Sequence, residues 1–296
     1  MFESPVLTPQ PVAAPEAAKY CPACGRSRDH QLCYIKWAYP ILRCAACGLG
    51  STWVQHNVLG EELYNADYFN GKKRDGYSDY VGSEVVLRRE FRTLIRRMRR
   101  AGIGPGKLLE IGCAYGFFLL EAKKEFDVTG IEICNDAVEF CVSRGLNVRQ
   151  GTISEDALPE GTQYDVTVML DVIEHLENPE QVLTLIRSRL IPGGALVITT
   201  GDWESLLSRV TGQNWRLMTP PQHLYFFAKR NMSLLLERLG FRIVTISYPW
   251  KFVPVSLMIF QLIRMLGFRP QPVALTSDLF LPLNFFDAMC VVARKL

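Results

Sequence analysis

The sequence predicts an α/β fold of the Rossmann-like type, a parallel sheet with helices on both faces, preceded by a small domain built around a metal ion. Three observations predict it: a glycine-marked turn after the apolar run Lys107 to Ile111, an acid closing the next apolar run, and two C-x-x-C pairs near the start. Each bears on chemistry as well as on fold.

The run Lys107 to Ile111 stops at Gly112 and a helical pattern starts at Gly116, so the glycines sit where a strand turns sharply into a helix. Glycine there admits close backbone approach. Twenty positions past Gly112, the run Val128 to Glu132 ends on a carboxylate. At the tip of a neighbouring strand, Glu132 can accept hydrogen bonds from both hydroxyls of a ribose. The spacing suits an adenosine-bearing ligand.

A third apolar run, Tyr164 to Asp171, also ends on an acid and continues into Val172-Ile173-Glu174-His175-Leu176. Asn178-Pro179-Glu180 then supplies a cap, a proline at the first helical position and an acid in the first turn, predicting a helix to about Leu190. Pro192-Gly193-Gly194 breaks the chain before the strand-like Ala195 to Thr199. Farther on, Phe241 to Tyr248 and Phe286 to Ala293 read as the last two strands.

In this order, an E-x-G-x-x-x-G motif, a strand-terminal acid, an L-D-V-I-E-H-L segment and a P-G-G turn resemble the class I S-adenosylmethionine-dependent methyltransferases. The resemblance covers roughly Gly102 to Leu296. It implies a seven-stranded sheet whose last two strands pair antiparallel, and S-adenosylmethionine as cofactor. It also implies cofactor contacts at Glu110, Gly112, Cys113, Ala114, Gly116, Phe117, Glu132, Ile133, Thr152, Ile153, Leu170 and Asp171. The chain departs from the commonest form of the first motif at Ala114, where glycine is usual; alanine is still small. Nicotinamide-dependent dehydrogenases share the glycine-rich turn and the downstream acid. Their G-x-G-x-x-G fingerprint is missing here, because Ala114 follows Gly112 and position 117 is not glycine.

Composition sets bounds. With 296 residues, 48% of them hydrophobic, the chain can bury a large core and hold one sizeable domain plus a small one. A net charge of +3 is too slight to imply a nucleic-acid partner. Met1 to Pro5 lacks the basic and apolar regions of a secretory signal, and no run reaches the ~18 apolar residues of a membrane span. A cytoplasmic protein is expected.

Of nine cysteines, four form Cys21-Pro22-Ala23-Cys24-Gly25 and Cys44-Ala45-Ala46-Cys47-Gly48, with 19 residues between the pairs. That is metal-ligand spacing: two thiolates on a tight turn hold one ion, and the following glycine lets the chain fold back. Four sulfurs close a tetrahedron and leave no place for water, so the expected zinc is structural. Two disulfides would need an oxidising compartment. Ile35, Trp37 and Tyr39, alternating between the knuckles, fit one strand of a zinc ribbon.

The expected organisation is a Pro- and Ala-rich flexible tail (1–19), the ribbon (20–60), a tyrosine-rich lid and basic helix (61–101) and the cofactor domain (102–296). In the family resembled, a tyrosine-rich segment folds over cofactor and substrate; Tyr77 and Tyr80 are carried over as cofactor contacts. Tyr64 to Phe69 belongs to the same stretch and can equally pack an interdomain seam. Ser83 to Ala101 reads as a helix with seven arginines, a solvated basic face rather than an RNA or lipid surface. Val253 to Phe268, almost wholly apolar, reads as a packed helix, with a dimer surface or a membrane-proximal element as alternatives.

The acceptor side is expected between Thr200 and Arg230, a long connection at the carboxyl end of the sheet carrying Trp203, Trp215 and Pro220 to Phe227. Its P-x-H-L-Y-F-F segment resembles one in methyltransferases of bacterial sugar, glycan and natural-product pathways. Methyl transfer to a hydroxyl or carbon needs a proton acceptor, and histidine suits that role. His30 and His56 lie in or beside the ribbon. His223, on the long connection, leads as base; His175, after the third apolar run, follows, with Glu174 in the same pocket. The expected activity is methyl transfer to a small-molecule acceptor, a sugar or related intermediate, by a monomer or homodimer. An RNA base methyltransferase using the ribbon, and a non-catalytic cofactor-binding scaffold, are the competing readings.

Overall fold

A computed structural model describes residues 19–54, 69, 80–154, 158, 161–254 and 280–296. The expected tail up to residue 18, Tyr64 to Tyr68, His56, Tyr77 and most of the apolar segment after Pro254 lie outside the described residues.

Five short strands come first: β1 (Lys19–Cys21), β2 (Arg26–Arg28), β3 (His30–Lys36), β4 (Tyr39–Cys44) and β5 (Gly50–Thr52). Then follow α1 (Glu84–Arg100), β6 (Lys107–Ile111), α2 (Phe117–Ala122), β7 (Asp127–Glu132), α3 (Asn135–Ser143), β8 (Val148–Gln150) and β9 (Tyr164–Leu170). A 3₁₀ turn at Ile173–His175 leads to α4 (Pro179–Arg189), β10 (Leu190–Gly201), α5 (Leu206–Thr211) and β11 (Tyr225–Phe226). The chain closes with α6 (Lys229–Arg238), β12 (Phe241–Ser247), β13 (Lys251–Pro254), β14 (Phe280–Leu283) and β15 (Ala288–Lys295).

Seven strands form the main sheet in the order β12-β15-β10-β9-β6-β7-β8. Strands β10, β9, β6, β7 and β8 run parallel; β15 is antiparallel to both its neighbours and is inserted between β10 and β12. This is the seven-stranded Rossmann-like sheet that the motifs imply. Side chains alternate along each strand, so Leu108, Val166 and Val197 enter one core with α1 to α3, while Leu109, Met169 and Ile198 enter the other with α4 and α6. The strand order reverses between β6 and its two neighbours β7 and β9, which opens a crevice beyond their carboxyl ends.

A second sheet, β11-β5-β4-β3, belongs mostly to the ribbon, but its edge strand β11 comes from some 170 residues downstream, with Tyr225 opposite Ser51. The reading of Ile35, Trp37 and Tyr39 as one strand is corrected: Trp37 and Ala38 have φ of 52° and 68°, and the chain turns there from β3 into β4 as a tight hairpin. Pro192-Gly193-Gly194 shifts the β9–β10 register between Leu190 and Ala195 rather than preceding the strand. The apolar run after Lys251 begins as strand β13, paired with β14, and not as a helix.

Candidate functional site: a cofactor crevice and a cysteine cluster

The crevice is a cavity of about 970 Å³ at the strand reversal. It is lined by Glu110, Ile111, Gly112, Cys113 and Ala114 from the first turn, Glu132 and Ile133 after β7, Thr152 and Ile153 after β8, and Leu170 and Asp171 after β9. Gly112 and Gly116 have φ near +70°. A Cβ on Gly112 would stand 2.6 Å from Val172 and one on Gly116 2.5 Å from Leu146, so both glycines also serve packing. Gly116 and Phe117 lie outside the cavity wall; Phe117 is buried beneath it, stacked at 5.5 Å on Tyr80, which does line the wall.

Three backbone N–H groups orient the Glu132 carboxylate: Ala114 donates to Oε2 at 2.7 Å, and Ile133 and Cys134 donate to Oε1 at 2.9 Å each. Oε1 is filled by its two donors, and Oε2 keeps a second lone pair for a ligand hydroxyl. Burial raises Glu132 above the usual carboxylate range, against those donors. Glu110 is 2% exposed and its Oε2 has no hydrogen-bond partner among the described residues. Burial pushes it well up. Such an oxygen facing a cavity calls for a cationic or N–H-bearing ligand group. Asp171 is held at φ +56° while its Oδ1 accepts from Thr199 at 2.9 Å.

At the ribbon, Cys21, Cys24, Cys44 and Cys47 bring their sulfurs within 4.8 Å of one another. The Cys21–Cys47 and Cys24–Cys44 separations are 3.5 and 3.9 Å. These bracket the ~3.8 Å edge of a tetrahedron with ~2.3 Å zinc–sulfur bonds. Gly25 and Gly48 have φ of 70° and 78° and donate their N–H groups back to Cys21 and Cys44, each at 2.9 Å. The cluster can hold a structural zinc.

Residues 86–246, more than half of the chain, match the family described as "Methyltransferase domain". The chain belongs to this family. A ubiquinone biosynthesis O-methyltransferase of Escherichia coli O157:H7 (strain EC4115 / EHEC) is 26% identical over 180 residues, 57% of this chain and 73% of that protein. Its counterpart in Escherichia fergusonii is 26% identical over 133 residues, 42% of this chain and 55% of that protein. A SAM-dependent methyltransferase from Archaeoglobus fulgidus shares the fold with a TM-score of 0.51 at 23% identity, covering 73% of this chain and 99% of that one. The magnesium protoporphyrin IX methyltransferase of Synechocystis PCC 6803, with bound SAH, shares it with a TM-score of 0.52 at 16% identity, covering 80% and 98%. The protein is an S-adenosylmethionine-dependent methyltransferase. The partnerless Glu110 oxygen and the oriented Glu132 fit that cofactor, with its ammonium and ribose groups.

The methyltransferase departs from its sequence reading on the acceptor side. Among the described residues, the cavity wall takes nothing from 201–229. Trp203 and Trp215 instead bury against Ile41 of β4, Met218 and Phe226, a satellite core under the ribbon. The wall is completed by Phe69, by Leu87, Glu90 and Phe91 of α1, by Lys251, and by residues from Leu176 to Ser188. Glu90, the one acid inside a run of arginines, was the readable sign that α1 has a second, inward face. Burial pulls Lys251 down, but Asp171 and Glu90 outweigh it and hold its pKa up. Part of the basic face is occupied: Arg88 and Arg92 reach the buried Glu121 at 2.7 and 3.0 Å, and Arg99 reaches Glu125 at 3.1 Å.

The two histidines differ in their access to the cavity. His175 lines the cavity; His223 lies behind it, with ring centroids 4.6 Å apart. His223 is held there because its carbonyl accepts from Thr52 Oγ1 at 2.6 Å and Leu224 N–H donates to the backbone carbonyl of Glu174 at 2.8 Å. Burial lowers His175 to about 4, and burial with the neighbouring His175 lowers His223 well below the usual imidazole range. Glu174 is pushed up to about 8 by burial and then by the charge of Asp171.

Proposed function

We propose that the enzyme methylates a hydroxyl of a small acceptor, with His175 taking the proton. The observation that carries this is that His175, four residues after Asp171, is the one histidine among the described residues on the wall of the cofactor crevice. When bound, S-adenosylmethionine supplies the electrophilic methyl. Glu110, Glu132 and the first turn would hold it through Cys113, Ala114, Ile133, Thr152, Ile153 and Leu170.

The chain's own work is then alignment and proton removal. His175 Nδ1 lies 3.0 Å from the Gln222 carbonyl, which can only accept, so Nδ1 carries the proton and Nε2 is the basic nitrogen. The ring, its pKa lowered to about 4 by burial, is uncharged at neutral pH and a weaker base than an ordinary imidazole, so it takes up the proton only as the methyl transfers. General-base help of this kind is worth ~10²–10⁴-fold. His223 and Glu174 back the ring and set its orientation.

For the acceptor, Leu87, Phe91, Leu176, Val182 and Leu185 offer apolar surface and Lys251 with Glu90 a polar end. That supports a hydroxylated ring carrying a polar or acidic substituent, whether a sugar-type intermediate or a phenolic one; an O-methyltransferase of ubiquinone biosynthesis is among the relatives. Arg88, Arg92 and Arg99 of α1 are already paired with Glu121 and Glu125, which takes them away from an RNA backbone. The test is turnover with S-adenosylmethionine against parallel panels of sugar nucleotides and phenolic acids. Methylation of a member with loss of ~10²-fold or more in His175→Ala supports the reading; unchanged turnover in that variant defeats it.

A further inference from the structure

Behind the crevice, Glu174, His175 and His223 each bring one metal-ligating atom to within 4.8 Å of the others, far from the ribbon cysteines in sequence and on another element. Glu174 is 4% exposed, yet its Oε2 has no hydrogen-bond partner among the described residues. A buried carboxylate oxygen without a donor is costly and invites either a proton or a cation. Glu174 and His223, though not His175, also line a second, small cavity of about 10 Å³, room for a single water or ion.

The two imidazoles are oriented as ligands are. His175 Nδ1 faces the Gln222 carbonyl at 3.0 Å, and His223 Nδ1 faces the Leu217 carbonyl at 2.7 Å. A carbonyl only accepts, so both rings are Nδ1–H tautomers and both Nε2 atoms carry lone pairs. Donation of the remote N–H to a backbone carbonyl is the support that metal-binding histidines use.

We propose that Glu174, His175 and His223 form a second metal site, of the two-imidazole, one-carboxylate kind, for a borderline divalent cation such as zinc or cobalt. Bonds of ~2.1 Å require donors ~3.4 Å apart, so the rings close on the ion by small side-chain rotations. Three protein ligands leave one position open. The site goes beyond the methyl-transfer reading and rests on it only for the part played by His175. Its Nε2 cannot hold an ion and accept a proton together, so occupation of the site and base catalysis through His175 exclude each other.

The test counts metal in the full chain. The protein is loaded with zinc, dialysed, and assayed by mass spectrometry for zinc per chain, while S-adenosylhomocysteine binding is titrated on the same samples. The wild type is expected to hold two ions, and Glu174→Gln and His223→Gln one each, with S-adenosylhomocysteine still bound by all three. One ion in the wild type would mean that a water or a protonated Glu174 fills the gap, and overturns the site; retained S-adenosylhomocysteine binding in that sample leaves the methyltransferase reading intact. Two ions in both variants overturn the ligand assignment.

Discussion

The cofactor half of the sheet and the ribbon are held together by different means. Strands β6, β9 and β10 bury both faces, and their side chains divide between two extensive cores. The ribbon has short strands, and its outer strand β3 leaves Leu32 and Ile35 46% and 58% exposed. So small a unit cannot bury enough apolar surface to stand alone. It relies on the four cysteines, on β11 lent by the other domain, and on Arg238, which donates to the carbonyls of Pro22 and Ala23 at 2.6 and 3.4 Å while pairing with Glu180 at 2.8 Å. Tyr20 also donates to Glu180. The difference teaches that the cofactor crevice is self-supporting, whereas the segment bearing His223 is held by the ribbon. Metal at the cysteines therefore bears on turnover without touching the crevice.

The largest expected effect breaks the two halves apart. Replacing Cys44 by Ser, which unlike general zinc stripping leaves Glu174, His175 and His223 intact, should release β4 and β5 and with them the Thr52 contacts to His223 and Leu224. Methyl transfer is expected to fall by on the order of 10²–10⁴-fold, the worth of a positioned base. S-adenosylhomocysteine affinity should change by less than about threefold. Calorimetric titration of the variant checks this, and parallel loss of cofactor binding would show that the halves are one unit. The converse is Glu132→Ala, which removes the oriented carboxylate. It should weaken S-adenosylhomocysteine binding by roughly 10–100-fold, about 1.4–2.8 kcal/mol, and leave the zinc content unchanged.

A third test sharpens the account of the self-supporting half. Glu121 is 2% exposed and gathers Arg88, Arg92 and Lys124. Burial raises its pKa, but Lys124 and the arginines outweigh it and hold the carboxyl below its usual value. A depressed folded-state pKa contributes stability above the unfolded value of about 4.5 and loses it as pH falls through the folded value. Glu121→Gln should cost about 1–3 kcal/mol at pH 7, since its cationic partners are half in water. Denaturant melts should show the difference closing below about pH 4.

How much of this was readable follows the same division. Gly112, Glu132 and Asp171 stand at strand ends marked by local apolar runs, and local patterns survive in a single sequence. The cysteine pairs are likewise local. What was missed is non-local. Two residues of β11 carry no periodicity, and their partner Ser51 is in another domain. Trp203 and Trp215 read as a substrate wall, because the sequence could not show that the ribbon covers them. The inner face of α1 was hidden by its arginines, although Leu87, Glu90 and Phe91 share one helical stripe. The ranking of His223 over His175 rested on loop length, which says where a segment leaves the sheet and not which side chain reaches the cavity; among the described residues that histidine is His175.

The smallest effect concerns the one departure from the motif. Ala114 sits at φ +46°, in the left-handed region, where a Cβ costs ~1 kcal/mol or more. Glycine removes that cost but returns ~0.5–1 kcal/mol through the extra freedom of the unfolded chain. The balance for Ala114→Gly is a gain of about 0.5 kcal/mol, or ~1–2 °C in melting temperature. Its N–H would still donate to Glu132, so S-adenosylhomocysteine affinity should not move. A loss of stability instead would mean that the Ala114 methyl, 9% exposed at the cavity wall, packs well enough to offset its strain. Alanine would then be held at this turn by its neighbours, and the departure from the motif would be a feature of packing rather than of the cofactor.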